Sequence, residues 1–391
     1  MAWISLAKIL LFVCGVAYLV ANHFHKRKDL ALSSAWTPKV ILVSVVAFFI
    51  SLAWTGVELE IALLTLVKHA KLLEILLLVS LIRTAREARI GIFAFAVGQT
   101  FLLMCSWLLA AGVPIPWTTD PTGKYVVFST YLDQSIMFAT TAGVLWHLHT
   151  EYLWPRWLSA ILGTAALVNV FLLLGGRTGY LVAIAVLSLA ITWALPKRHR
   201  LAALIATPLI LVLGLYLGSS QVQGRLSKLA VESQSYAQQV ETDSSSGWRI
   251  NAWSRSAQAI TESPWYGHGV GSWAITVKRL QGTSGSKVFG AGNASNPHQE
   301  DLLWGVEIGV VGTFLFLFFI FSIVHDVRHF AEPIQRAVLS VVAAMAVACL
   351  FNSALYDDLM GDFFCITLGL LMALGINSSS SAVSRYQENV A

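Results

Sequence analysis

The sequence predicts an all-α polytopic membrane protein with about 11 to 12 transmembrane helices and one large, partly helical extracytoplasmic loop. Three observations lead to this fold class. Of the 391 residues, 56% are hydrophobic and only 12% are charged, whereas about a quarter are charged in ordinary soluble domains. Apolar stretches of about 20 residues, the length that spans a bilayer, recur along the chain. A single long polar stretch, residues 219–300, interrupts them.

Span length and loop polarity divide the chain into three regions. Residues 1–218 contain eight predicted spans, residues 219–300 form a loop with two predicted helices, and residues 301–391 contain three spans and a C-terminal tail. The first span is expected to be retained, because HKRKD follows it and no small-residue cleavage site does. The eleven predicted spans are residues 3–21, 38–54, 61–82, 90–111, 126–147, 157–174, 179–195, 200–218, 301–324, 336–354 and 361–377.

Lysine and arginine residues indicate the orientation of these spans. Alternate loops carry thirteen of them, counting Lys39, whereas the short loops on the other side carry two, Lys124 and Arg177. Because basic residues concentrate on the cytoplasmic side, the first set of loops and the C-terminus are predicted to be cytoplasmic, and residues 219–300 extracytoplasmic. The net charge of +5 therefore reports orientation and does not indicate nucleic-acid binding. The basic loops are HKRKD, RTAREAR, LWPRW, PKRHR and HDVRHFAEPIQR.

The long loop is expected to be folded and functional. Loops longer than about 15 residues are uncommon unless they are functional or disordered, and six aromatic residues between positions 248 and 289 favour folding. Residues 219–240 are typical of an amphipathic surface helix, and RINAWSRSAQAITES of a second helix that ends before Pro264. The GHGVGSW segment lacks the preceding strand and the Lys-Ser/Thr pair of a phosphate loop, so we interpret it as a tight turn.

His298 is the main candidate for a general base. Asn296, Pro297 and Gln299 form a typical helix start, with Asn at the N-cap, Pro at the first helical position and Gln three residues after the cap. This pattern places His298 in the first turn of the ninth span, where the positive end of the helix favours neutral imidazole. A neutral histidine at the membrane rim can accept a proton; alternatively, it caps the helix or points to water.

Arginines near the loop are candidates for binding an anion. Arg177 lies in LLLGGRTGYL, between two apolar spans on the side where basic residues are rare, after glycines that allow close backbone approach. Arg249 and Arg255 lie in the second loop helix. A guanidinium binds two phosphate oxygens at once. Solvated surface arginines without a functional role are common. This interpretation is as good as anion binding for Arg249, and it is preferred for Arg255.

Charged residues within the spans form a second group of candidates. Lys68, Lys71 and Glu74 fall in the third predicted span, and Asp133 and Gln134 in the fifth. Charges at that depth are costly and usually functional. A structural salt bridge between Lys71 and Glu74, three residues apart, is an equally good interpretation.

The order and spacing of several motifs resemble the O-antigen ligase and polymerase superfamily. Arg249 is followed by Trp253, then by PWYGHG, and then by His298-Gln299 with nine residues before Gly309-Val310. The segment HQEDLLWGVEIGVVG also contains the family-like Glu307. The resemblance is specific from Gly247 to Gly312 and looser in the spans.

This resemblance implies a glycosyltransferase in the inner membrane of a Gram-negative bacterium, with its active site facing the periplasm. The implied partners are an undecaprenyl-diphosphate-linked O-antigen donor, a lipid A core acceptor and membrane lipid, without a cofactor, metal or nucleic acid. His298 would deprotonate the acceptor hydroxyl, and Arg177 and Arg249 would bind the donor diphosphate. Direct attack by the acceptor, which we expect, would invert the configuration at the anomeric carbon, whereas His298 acting as a nucleophile would retain it through two displacements. The implied supporting residues are Asn296, Gln299, Glu307, Asp133, Lys68 and Lys71.

Other functions remain open at this point. Within the superfamily, a polymerase extends the glycan on its lipid, and a third branch that modifies protein usually has a longer C-terminal portion. Outside it, a polytopic transporter is the alternative, with Lys68, Lys71 and Asp133 along its path. A metal enzyme is disfavoured, because the four cysteines lie in apolar runs without CxxC spacing and His298, Glu300 and Asp301 match no ligand spacing.

Overall fold

The computed structural model describes residues 35–118, 125–149, 155–218, 223–224, 227, 245–282 and 296–390. Every regular element in these residues is helical. The predicted span 3–21 and most of the predicted amphipathic helix at 219–240 lie outside the described residues. The helices are α1 (Thr37–Ile50), α2 (Leu59–Ala70), α3 (Leu73–Leu81), α4 (Ala85–Ala110), α5 (Tyr131–Leu148), α6 (Arg156–Asn169), α7 (Arg177–Ala194), α8 (Arg200–Gly218), α9 (Ser245–Glu262), α10 (Trp273–Gly282), α11 (Glu300–Val327), α12 (Glu332–Phe351) and α13 (Asp358–Val390).

The prediction of a polytopic all-α membrane protein is confirmed. Seven helices in the described part of the chain are long and apolar enough to cross a membrane, and the shorter apolar segment Thr37–Ala53 accompanies them. These seven spans are Ala85–Ala110, Arg156–Leu174, Arg177–Ala194, Lys197–Gly218, Glu300–Val327, Glu332–Phe351 and Asp358–Ser379. The chain is a multi-pass membrane protein.

The predicted third span, 61–82, consists of two helices, α2 and α3. Between them the backbone N–H of Leu72 bonds the carbonyl of His69, and the N–H of Glu74 bonds the carbonyl of Lys71. These bonds reach back three residues and tighten the chain into a turn. The periodicity of the apolar residues continues through this turn, so hydropathy alone predicts one uninterrupted span.

Helix α5 lies at the centre of the bundle, where it packs against α6, α7 and α12. Nearly all of its residues are buried. At one end of the bundle, His147 of α5 contacts the Trp193 ring of α7 edge-on, and Arg336 of α12 lies 5.9 Å from the same ring. The start of α5, the start of α7 and the end of α12 therefore meet at the opposite end.

A break in α11 receives the turn that follows α9. At Gly309 the backbone has a φ of 71°, and the Val310 N–H bonds the Pro264 carbonyl at 2.7 Å. A side chain at Gly267, whose φ is 66°, would meet the Glu307 backbone at 2.5 Å, so only glycine permits this approach. The tight turn predicted at GHGVGSW is thus present, and it locks the α9–α10 segment onto α11.

Candidate active site

His298 lies in a turn ahead of α11 and not in its first turn, so the predicted helix start at Asn296 is wrong. Helix α11 begins at Glu300, with Gln299 as its N-cap residue in an extended conformation. His298 has a φ of 52°, in the left-handed region that histidine and asparagine enter more readily than most residues. The Asn296 side chain accepts a hydrogen bond from the His298 backbone N–H at 2.9 Å. Because Asn296 bonds two residues on and not three, it forms an Asx-turn before the helix begins.

The His298 ring is held by Asn352 from the turn between α12 and α13. His298 Nδ1 lies 2.7 Å from Asn352 Oδ1, and Asn352 is buried. An amide oxygen only accepts hydrogen bonds, so this contact is made by the tautomer in which Nδ1 carries the proton. Neutral His298 then presents an unprotonated Nε2, which is the arrangement that a general base needs.

Two tryptophans of α9 clamp the turn that carries His298. The Trp248 ring meets the His298 ring edge-on, with centroids 4.9 Å apart. The Trp253 indole N–H donates to the Pro297 carbonyl at 3.1 Å. Because α9 also carries Arg249, one helix sets the positions of both the imidazole and a guanidinium.

Arg249 and Arg177 come from different helices and lie close enough to influence each other. Arg249 is near the start of α9, and Arg177 is the first residue of α7. Burial lowers the pKa of Arg249, and the positive charge of Arg177 lowers that pKa further. Both arginines are half-buried. Two guanidinium groups beside the N-terminus of α7 provide a site for an anion of high charge, such as a diphosphate.

The pKa of His298 lies below its ordinary value, chiefly because burial disfavours imidazolium. The hydrogen bond to Asn352 and the charge of Asp357 raise this pKa, whereas the charge of Arg249 lowers it further. The neutral form expected from the sequence is therefore favoured, but burial and Arg249 are the causes, and not the N-terminus of α11. The three residues singled out in the sequence, Arg177, Arg249 and His298, are thus brought together.

The turn that supplies Asn352 is anchored by Glu300, a residue that sequence patterns did not single out for this role. The Glu300 side chain is buried, and its Oε2 accepts hydrogen bonds from the backbone N–H groups of Leu355 and Tyr356 at 3.1 and 3.3 Å. Its Oε1 accepts from the Trp304 indole at 3.1 Å. A carboxyl group buried at the start of an apolar span is a detectable signal. Asn352 itself follows an apolar helix and has no such local signal.

Asp133 lies at the start of α5, at the same end of the bundle. Its Oδ2 accepts hydrogen bonds from Ser129 Oγ at 2.6 Å and from Thr130 Oγ1 at 2.8 Å. Gln134 bonds the Val127 N–H, Ser106 and the Tyr125 carbonyl. The Asp133 carboxylate is therefore bonded by neighbouring hydroxyls, whereas Gln134 joins the chain ahead of α5 to α4.

Lys68 and Lys71 bind the start of α13. Lys71 Nζ is 3.0 Å from Asp358 Oδ1 and donates to the carbonyl of Asp357 at 2.8 Å. Lys68 Nζ lies 4.5 Å from the centre of the Tyr356 ring. Both lysines thus support the turn that supplies Asn352, and Lys71 does so from the break between α2 and α3.

Glu307 lies at the break in α11. Its Oε2 is 2.8 Å from His69 Nε2, and its Oε1 accepts from the Gly271 N–H at 3.0 Å. Both partners of this pair are buried, and the His69 ring stacks on Phe48 at 3.8 Å. Glu307 therefore connects α2, α11 and the turn after α9.

Arg255 lies in α9, and Gln299 lies at the start of α11. Arg255 donates to Gln258 one helical turn away on an exposed face of α9, and Gln299 is the N-cap residue of α11. Within the described ranges, no three His, Cys, Asp or Glu side chains are grouped as metal ligands would be.

Comparison with known protein families gives one match. Residues 135–317 match the family described as O-antigen ligase, and this segment contains Arg177, Arg249 and His298 together with the break at Gly309. No curated protein matches the chain. Residues 135–317 of this multi-pass membrane protein are thus similar to the O-antigen ligase family.

Proposed function

We propose that the protein is an O-antigen ligase, which transfers a glycan from undecaprenyl diphosphate to a sugar hydroxyl of lipid A core at the periplasmic face of the Gram-negative inner membrane. The match of residues 135–317 to a family of glycosyltransferase-like enzymes supports the reaction class. The observation that carries the proposal is the convergence of His298, whose Nδ1 contacts Asn352 and whose pKa is lowered by burial, with two half-buried arginines. Neither group alone would be sufficient for this transfer.

The chemistry divides between these groups. Arg177 and Arg249 bind the donor diphosphate and neutralise the charge that develops on it as the anomeric C–O bond breaks. His298 Nε2 takes the proton of the acceptor hydroxyl as its oxygen forms the new bond to the anomeric carbon. The products are the glycosylated acceptor, undecaprenyl diphosphate and a protonated His298. Direct attack in a single displacement inverts the configuration at the anomeric carbon.

Supporting residues act through the positions of these groups. Asn296 sets the turn that presents His298, and Asn352 holds its Nδ1 proton. Lys68 and Lys71 act on the same turn as Asn352, from the side of α2. Asp133, close enough to Asp357 for their charges to interact, is a candidate contact for the acceptor sugar.

The test is transfer by purified protein, with EDTA present and no nucleotide. We expect wild type to move the glycan from undecaprenyl diphosphate to lipid A core, and His298→Asn to lose about 10²- to 10⁴-fold in rate, the usual contribution of a general base. Asparagine is the sharper substitution because it tolerates the positive φ of this position. The thermal stability of His298→Asn and of His298→Ala, each compared with that of wild type, controls for loss of the fold.

The alternatives have distinct outcomes in the same assay. Elongation of the lipid-linked glycan, without transfer to lipid A core, would identify an O-antigen polymerase that uses the same three residues. Absence of transfer with either acceptor, together with flux of a solute across liposomes, would favour a transporter. Activity of His298→Asn equal to that of wild type would remove His298 from the mechanism.

A further inference from the structure

A cavity of about 440 Å³, separate from the candidate active site, lies beside the turn that follows α9. Trp54 and Gly56, from the chain between α1 and α2, form one wall, and the turn and α10 form the other. The polar and aromatic side chains that line it are Trp54, Ser263, Tyr266, His268, Ser272, Thr276 and Arg279. None of these residues belongs to the candidate active site described above.

The aromatic corner of this cavity is rigidly held. The Trp54 and Tyr266 rings meet at 81°, with their centroids 6.1 Å apart, and the Trp54 indole donates to the Tyr266 carbonyl at 3.1 Å. The Tyr266 side chain is nevertheless 63% exposed. Two fixed rings with open faces, placed among hydrogen-bonding groups, suit a ligand that has both apolar faces and hydroxyls.

The charge of the cavity indicates a neutral ligand. Among the described lining side chains, Arg279 alone carries a formal charge, and Arg279 is paired with Glu262. His268 Nε2 bonds the Ala259 carbonyl at 2.9 Å. Ser272 is buried, and its hydroxyl has no hydrogen-bond partner among the described residues. These groups fit sugar hydroxyls better than they fit phosphate.

The position of the cavity relates it to the active site through α9. Arg249 lies near the start of α9, and Ser263, which lines the cavity, directly follows its last residue. Thirteen residues of helix from 249 to 262 correspond to about 20 Å. This separation is too long for the reacting sugar and suits sugars further along the same glycan.

We propose that this cavity is a carbohydrate subsite, which binds sugars remote from the bond that is made. This inference rests on the proposed function. The remote sugars belong either to the O-antigen of the donor or to the core oligosaccharide of the acceptor, and their chemistry is shared.

The test compares Tyr266→Ala and Ile275→Trp with Trp265→Ala. Ile275 is 51% exposed and lines the cavity, so a tryptophan there fills it, whereas the neighbouring Trp265 is exposed and does not line it. For each variant in lipid nanodiscs, KM is measured with donors of one and of many repeat units, and with complete and truncated core acceptors. We expect Tyr266→Ala and Ile275→Trp to raise KM about tenfold, equivalent to about 1.4 kcal/mol. This change should appear either with the donor of many repeat units or with the complete core acceptor, and not with their shorter counterparts.

The substrate arms identify which glycan occupies the cavity. A KM change that follows donor length assigns the subsite to the O-antigen, and one that follows core length assigns it to the acceptor. An equal change with short and long substrates, an equal effect of Trp265→Ala, or no effect of either cavity variant would overturn the proposal.

A binding measurement separates this inference from the proposed function. Isothermal titration with the free oligosaccharide, released from its lipid, needs no catalysis. Binding to wild type and to His298→Asn, with loss in Ile275→Trp, supports the subsite even if no transfer is detected. If wild type binds neither the O-antigen oligosaccharide nor the core oligosaccharide at saturating concentration, the proposal is overturned.

Discussion

The contact between Asn352 Oδ1 and His298 Nδ1 favours the tautomer in which Nε2 accepts a proton. A base of this kind is active when neutral, so kcat/KM falls as the pH drops through its pKa. Burial and the charge of Arg249 lower that pKa, and the acidic limb of the profile should therefore lie below the ordinary titration range of histidine. The measurement is kcat/KM for glycan transfer as a function of pH.

Asn352→Asp should move this limb to higher pH. A carboxylate next to Nδ1 stabilises the imidazolium form and raises the pKa of His298. Arg255→Gln, which removes a charge from the exposed face of α9, should leave the limb in place and serves as the control. An acidic limb that stays fixed in Asn352→Asp would show that another group titrates.

The two arginines of the site should be sensitive to loss of the guanidinium fork. In Arg177→Lys and Arg249→Lys the charge is kept while bidentate binding is lost. We expect kcat/KM to fall roughly 10- to 100-fold, less than the 10²- to 10³-fold typical of removing a whole stabilising group. Arg255→Lys on the same helix is the matched control. Equal effects at all three positions would contradict the assignment of the diphosphate site.

At the scale of elements, the break in α11 explains why Glu307 is buried. Its carboxylate joins His69 of α2 to the Gly271 N–H of the turn after α9. Glu307→Ala would leave both groups buried without this partner, at a cost of about 1 to 3 kcal/mol for each. Glu307→Gln retains an acceptor oxygen for Gly271 and should be milder. Thermal unfolding of the purified variants measures both effects, and transfer activity at a temperature where both are folded tests for any direct role.

Element boundaries also mark the limit of what the sequence predicted. Most spans, the second loop helix and the residues Arg177, Arg249 and His298 follow from local composition and motif spacing, whereas the break within the predicted span 61–82 does not. The start of α11 does not, because Asn296 has two competing ways to bond the backbone and the chain adopts the Asx-turn. Asn352 lies 54 residues from His298, and the turn that presents it depends on Glu300 and Lys71, contacts that arise only after the helices have packed.

At the scale of the whole molecule, the candidate site lies at one end of the bundle, and those predicted cytoplasmic loops that the structure describes lie at the opposite end. A variant without cysteine, carrying either Trp265→Cys or Arg198→Cys at an exposed position, tests the orientation. Intact cells treated with a maleimide that cannot cross the inner membrane should label position 265, and position 198 should react only after permeabilisation. The reverse pattern would place the site in the cytoplasm.

The central position of α5 has a consequence for how the protein enters the bilayer. Neighbouring helices cover α5 along almost its whole length, yet α5 is not among the seven helices apolar enough to count as a span by composition. A segment of this kind gains little from lipid alone. Its stable insertion during synthesis therefore depends on α6, α7 and finally α12, which leave the ribosome after it. In a nascent chain that ends before α12, the face of α5 that α12 normally covers would stay exposed to lipid.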